Sequence, residues 1–283
     1  MKLGLVLNVF LLSASTLAAA ESRVTVTPPQ AHPGDPVLVT VTGSKETPKG
    51  TANGEPLHFF AAVGGYQAVV AIPLDAKIKK LAVEVDSVKK PGYVQILERT
   101  FPETDVIVEE ELANPSKADG DRIGADNRAI IEAVTKSKGE PQFTRAFHRP
   151  AGEVTSPFGE WRSFNDGHRA QHLGLDLFAR EGSKVAAVNS GTVTLVRDCF
   201  LAGNVVVVAH GGGLATAYFH LSKISVAEGD VVAQGAELGL AGHTGRTTGP
   251  HLHVSVRVPG GFVDPAAFFK LKIAPRAPAS ARR

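Results

Sequence analysis

Two short stretches carry residues able to hold a metal ion. His251-Leu252-His253 leads into Val254-Ser255-Val256, a β-branched run that predicts a strand. Residues i and i+2 of a strand point to one face, and each residue rises about 3.3 Å. Two imidazoles therefore stand side by side, within reach of one ion or of a water on that ion. The second stretch is His172-Leu173-Gly174-Leu175-Asp176-Leu177. Extended, positions four apart lie about 13 Å apart, too far for two ligands of one ion with bonds of about 2 Å. Shared coordination requires a bend, which Gly174 permits. Leu175-Asp176-Leu177 then alternates like a strand and turns its carboxylate inward, where a divalent cation would be a suitable partner. His220 ends a third strand-like run, Ala217-Tyr218-Phe219-His220, which predicts Tyr218 on the same face. It is a spare imidazole for proton transfer or oxyanion stabilisation. Two imidazoles and one carboxylate form a catalytic type of set, with three protein ligands and a fourth position for water. Each short pattern alone also fits core histidines or a purely structural metal site.

Composition narrows the choice. The chain of 283 residues holds ten His and one Cys, Cys199. One Cys excludes an intrachain disulfide framework and a cysteine-rich closed metal site. Seven of the ten His lie between positions 168 and 253. A formal net charge of +2 gives no basic field of the kind nucleic acid requires. With 43% hydrophobic residues the chain can bury two cores.

These residues need elements to position them, and the chain divides accordingly. Lys2, an apolar run from Leu3 to Leu12, and Ala18-Ala19-Ala20 before Glu21 form a secretory pattern over residues 1–20. The run is too short to span a bilayer, so the mature chain is expected to have no membrane span and to act in the periplasm or cell envelope, or outside the cell. Residues 21–113 read as about seven short strands separated by Gly and Pro turns, which predicts an immunoglobulin-like β-sandwich. Residues 114–144 read as a spacer with a short amphipathic helix near Asn127–Val134. Residues 145–270 are again β-rich, and residues 271–283 form a Pro-, Ala- and Arg-rich tail. The expected fold is mainly β, a sandwich followed by an antiparallel sheet domain. His32, His58, His168, His210 and His243 read as structural or loop residues, and Cys199 as inert.

The order Ser156-Pro157-Phe158-Gly159, His172-Leu173-Gly174-Leu175-Asp176, Tyr218-Phe219-His220-Leu221 and Thr244-Gly245-Arg246-Thr247-Thr248-Gly249-Pro250-His251-Leu252-His253 closely resembles the lysostaphin/LytM-type zinc metalloendopeptidases of bacterial cell walls. It covers about residues 145–270, with every signature residue present. The sandwich also resembles, more loosely, the domain that often precedes such peptidases. The resemblance implies an open groove and one zinc ion held by His172, Asp176 and His253. It implies His251 as general base and His220 facing the same water and the developing oxyanion. It implies peptidoglycan peptides as substrate, with Gly211–Gly213 and Thr244–Gly249 as groove-edge loops. A regulatory protein that binds peptidoglycan without cutting it is the competing expectation, and the sandwich is expected to contact the groove or another envelope protein.

Overall fold

The computed structural model describes residues 21–165 and 167–275; the predicted secretory segment and most of the predicted tail lie outside them. Among the described residues no helix is long and apolar enough to cross a membrane.

The first nine strands are β1 (Arg23–Thr27), β2 (Gln30–Ala31), β3 (Pro36–Thr42), β4 (Gly50–Ala52), β5 (Glu55–Pro56), β6 (Phe60–Ala62), β7 (Gly65–Ala71), β8 (Lys80–Val85) and β9 (Gly92–Ile96). They form two sheets, ordered β1-β3-β7-β6 and β2-β9-β8-β4-β5. Alternation along β8, with Leu81, Val83 and Val85 buried and the residues between them more exposed, shows why: one face of each sheet is apolar and must be covered. Val37, Val39, Val41, Val70, Leu81, Val83 and Val94 fill the space between them.

The chain then crosses over. β10 (Glu103–Val106) does not extend the sandwich, although it lies within the predicted 21–113 segment. It pairs in parallel with β12 (Trp161–Phe164), which pairs with β13 (His168–Gln171). After α1 (Glu110–Ala113) comes α2 (Lys117–Thr135). This helix is longer than the predicted turn or two. Ser116 caps it by accepting from the Asp119 N–H at 3.2 Å, which offsets Gly120 and Gly124 within it. The segment is no spacer. Ile130, Ala133 and Val134 pack with Leu195, Cys199, Val205 and Ala217 in one apolar cluster, and Asp126 accepts from Arg197 Nε at 2.8 Å and the Phe200 N–H at 2.9 Å. Burial there pushes the Cys199 thiol up to about 11, which agrees with an inert role.

The remaining strands are β11 (Val154–Ser156), β14 (Leu175–Phe178), β15 (Lys184–Ala186), β16 (Gly191–Cys199), β17 (Gly203–Gly211), β18 (Leu214–Leu221), β19 (Lys223–Ile224), β20 (Val231–Val232), β21 (Glu237–Leu240), β22 (His251–Val258) and β23 (Gly261–Val263), before a short helix, α3 (Pro265–Phe268). The main sheet runs β11-β14-β22-β18-β17-β16-β20, with β23 added to β22. Its central strands are nearly continuous apolar runs because both faces are covered. The core beneath them also takes in Leu38, Phe60 and Val69 from the sandwich, and Phe143 and Phe147 from the connecting segment. The two parts thus share buried apolar surface. Arg99 ties them further, bridging Asp35 at 3.1 Å and Asp264 at 3.3 Å.

His210 is fully buried in this core. Its Nδ1–H donates to the Ser190 carbonyl at 2.8 Å, and Nε2 lies 2.9 Å from Thr216 Oγ1. Burial pushes its pKa from 6.5 down to about 4. The unfolded chain therefore binds the proton more tightly. The stability this histidine contributes is complete above about pH 6.5 and declines as the pH falls toward about 4, by about 3 kcal/mol. Urea unfolding measured between pH 7 and 4 is expected to fall less steeply for His210→Gln than for the wild type. Parallel slopes would mean that burial does not shift the titration of this histidine.

The candidate metal centre

Antiparallel pairing of β14 with β22 sets Asp176 directly across from His253, which brings their side chains together on one face. His251, two residues earlier on β22, shares that face, and its Nε2 lies 3.6 Å from Asp176 Oδ1. His172 reaches the same point from the end of β13. The chain bends over residues 172–174, and the His172 N–H donates to the Glu160 carbonyl while its own carbonyl accepts from the Gly159 N–H, both at 2.8 Å. Gly174 is needed less for the bend than for space. A Cβ there would lie 2.3 Å from His253 Nε2. Gly174→Ala is therefore expected to push the His253 ring aside and weaken metal binding at least about 10–100-fold, as loss of an outer support does. A competition titration with a chelator would read this, and unchanged affinity would show that the ring is not held there.

Three atoms converge. His172 Nε2 lies 3.0 Å from Asp176 Oδ1 and 2.8 Å from His253 Nδ1, and His253 Nδ1 lies 2.8 Å from Asp176 Oδ1. The outer contacts fix the tautomers. His172 Nδ1 is 2.8 Å from the Pro157 carbonyl, which can only accept, so Nδ1 carries the proton. Ser255 Oγ donates to the Leu173 carbonyl at 2.8 Å and accepts from His253 Nε2 at 2.9 Å, so His253 Nδ1 is also bare. Burial holds His253 neutral by pushing its pKa down to about 4. Two imidazole lone pairs and a carboxylate oxygen thus face one another with no proton to share. A cation removes that repulsion, and two imidazoles with one carboxylate fit zinc with a fourth position open.

Two more imidazoles border the cluster. His251 Nδ1 donates to the Gly249 carbonyl at 2.9 Å and His220 Nδ1 to the Thr244 carbonyl at 2.8 Å, leaving both Nε2 atoms as acceptors. Their ring centroids are 5.0 Å apart. Burial, reinforced by His253 and His251, lowers the His220 pKa to about 3. Simple alternation would have placed His220 on the Tyr218 face, as the sequence reading did. Tyr218 instead lies fully buried in the core, its hydroxyl accepting from the Val188 N–H at 2.9 Å. One extra residue on β18 between Tyr218 and Leu221, and φ of +60° at His220, turn the imidazole to the opposite face.

Sequence reading missed the residues behind Asp176. Arg162 Nη2 donates to Asp176 Oδ2 at 2.6 Å and its Nε to Glu160 Oε2 at 2.9 Å, while Thr104 Oγ1 donates to Glu160 Oε1 at 2.9 Å. Burial works against the Arg162 charge, and Asp176 and Glu160 outweigh it, so its pKa is raised. No spacing signal marks these residues, because β10 and β12 meet only through the fold; Ser255, two positions after His253 on the same face, was visible.

Two clefts flank the centre. One, of about 590 Å³, is lined by the β10 segment from Thr104 to Val108, by Asp176 and by the loop from Arg246 to His251. The other, of about 540 Å³, is lined by α2 through Ile123, Asn127, Ile130 and Ile131, together with His172, His220 and His253. Within the 21–113 segment predicted as the sandwich, Thr104–Val108 line the first cleft, whereas among the described residues none from 21–97 lines either; α2 borders the second. Gly211–Gly213 is not a groove edge either. It packs on Glu140, Pro141, Phe60 and Pro259, whereas Thr244–Gly249 does border the clefts. His168 and His243 are exposed and outside the cluster, His243 lying 3.4 Å from Glu181.

Comparison with known proteins agrees with this geometry. Residues 170–265 match the model of peptidase family M23. A peptidase M23 structure from Pseudomonas aeruginosa superposes with a TM-score of 0.66 at 30% identity, over 84% of this chain and 94% of that one. Among curated proteins, a peptidoglycan DD-endopeptidase, ShyA, from Vibrio cholerae serotype O1 is 45% identical over 91 residues, which is 32% of this chain and 21% of the relative. A DD-carboxypeptidase/endopeptidase, Mpg, from Neisseria meningitidis serogroup B is 40% identical over 115 residues, 40% of this chain and 26% of the relative. The matched region spans about a quarter of the length of these curated relatives. With the His172, Asp176 and His253 cluster inside the matched region and a structure of nearly full coverage at 30% identity, the chain belongs to peptidase family M23.

Proposed function

We propose that this protein is an exported zinc endopeptidase that hydrolyses peptide bonds in bacterial peptidoglycan, in a cross-link or a stem peptide. The observation that carries the reading is the set of three unprotonated donor atoms, bordered by two further imidazoles whose Nε2 atoms are free. His172, Asp176 and His253 would hold the ion, and zinc bound there would supply an acidified water and a Lewis acid for the scissile carbonyl. Arg162 Nη2, donating to Asp176 Oδ2 at 2.6 Å, fixes the orientation of the carboxylate. His251 Nε2 takes the proton of the attacking water and returns it to the leaving amine, a role worth about 10²–10⁴-fold. His220 Nε2 is an acceptor in the resting tautomer, so it orients the water first. It can donate to the oxyanion only once it has gained a proton, which refines the role the resemblance implied. The name of the ShyA relative, a peptidoglycan DD-endopeptidase, supports the substrate class, and the secretory pattern of residues 1–20 supports export.

The test is metal analysis of the purified protein combined with mass spectrometry of muropeptides after digestion. One zinc per chain and new peptide termini are expected, and the masses name the bond. Intact muropeptides from a zinc-loaded protein would sink the enzymatic reading in favour of a binding role.

A further inference from the structure

Arg246 stands in the loop that leads from Thr244 to the His251-Leu252-His253 strand, and nothing in the mechanism above uses it. Its guanidinium carbon lies 3.7 Å from the centre of the Phe164 ring. It borders both clefts, one on each side of the metal centre. The two carboxylates nearest the centre are already occupied, since Asp176 and Glu160 both pair with Arg162. Among the described residues Arg246 has no carboxylate partner. Burial and the neighbouring charge of Arg162 push its pKa down to about 10, so it is still charged at neutral pH.

The loop that carries it is rigid. Thr244 Oγ1 donates to the Leu221 carbonyl and accepts from the Asn204 N–H, each at 3.0 Å. The Thr244 carbonyl accepts from His220, and the Arg246 N–H donates to the Leu201 carbonyl at 2.8 Å. Gly245 has φ of +76°, and a Cβ on it would lie 2.4 Å from the Gly203 nitrogen, so the turn fits only as glycine. Stacking on Phe164 holds the guanidinium plane while leaving its N–H edge free. A half-buried cation, pre-oriented beside a reaction centre and without a counter-ion among the described residues, is a receptor for an anion, and a planar fork of donors matches a carboxylate.

We infer that Arg246 reads a free carboxylate of the substrate peptide close to the scissile bond, so that the enzyme favours the acid form over the amide. This rests on the peptidase reading above. Cross-linked peptides offer two sources, the carboxylate at the chain end and those on side chains.

The test measures binding of a synthetic cross-linked stem-peptide dimer to the zinc-loaded protein, by calorimetry. Three further dimers are amidated at the terminal carboxylate, at the side-chain carboxylates, or at both. The wild type is expected to bind the acid dimer at least about tenfold more tightly than the fully amidated one, and the singly amidated dimer that loses the advantage names the source. In Arg246→Gln the ratio should fall to about one. Arg246→Lys, which keeps the charge and loses the fork, should restore part of it and serves if the glutamine variant misfolds. A wild-type ratio of one, or a ratio that survives in Arg246→Gln while both affinities drop together, overturns the proposal and leaves Arg246 a structural clamp on Phe164. If the ratio holds but no dimer is ever cut, the peptidase reading fails and the carboxylate site stands.

Discussion

Replacing His253 with alanine is expected to remove the metal and the hydrolytic activity together. His253 supplies one of three protein donors, and its Nδ1 is the atom closest to both of the others. Without it His172 and Asp176 remain as two ligands, fewer than any stable zinc site of this type uses. The loss should exceed the 10–100-fold that removal of an outer support costs, so zinc should leave on dialysis and muropeptide cleavage should reach background. The fold should persist, because His253 is bounded by Ser255 and Phe219 at the sheet surface and contributes little to the apolar core. Stability without added metal is expected to be nearly that of the metal-free wild type. A His253→Ala protein that retains one zinc and cuts at more than a few per cent of the wild-type rate would show that the metal sits elsewhere.

His251→Ala should separate binding from chemistry. Its ring is not among the three converging donors, and its Nε2 stands 3.6 Å from Asp176 Oδ1 with no proton on it. Zinc stoichiometry is therefore expected to be unchanged while the turnover number falls about 10²–10⁴-fold, the worth of a positioned general base. The effect should fall on kcat more than on KM, because the base acts in the transition state. An equal loss of zinc and rate would make His251 a ligand, and an unaffected rate would transfer the base to His220. Measuring both variants for zinc and for rate distinguishes the two histidines of one H-x-H pair, which sequence spacing treats alike.

Much of this centre could be read from the chain alone. The period of two along β22 put His251 and His253 on one face, and the alternation Leu175-Asp176-Leu177 put a single carboxylate inside; both hold in the structure. Strands form at Leu175–Phe178 and His251–Val258, where the alternation of Leu175-Asp176-Leu177 and the β-branched run after His253 predict them, because such runs are a local signal. What local periodicity could not give was anything produced by a break in it or by distant pairing. His220 faces the metal only because a bulge and a left-handed backbone turn it away from the Tyr218 side. Residues 103–106 fall within the 21–113 segment that reads as a sandwich, yet their partner is Trp161–Phe164, more than fifty residues on. Arg162, on that same strand β12, reaches Asp176 on β14, a strand of a different sheet. The helix at Lys117–Thr135 looked short and solvent-facing because its polar residues outnumber the few that pack, and its buried stripe had no visible partner until β16 to β18 supplied one. The donor types and their spacing are thus properties of the sequence. Which nitrogen of each imidazole is left bare, and which carboxylates and cations meet among the described residues, are decided by tertiary contacts, because they depend on the acceptors, carboxylates and apolar surfaces that the folded chain brings to each ring and guanidinium.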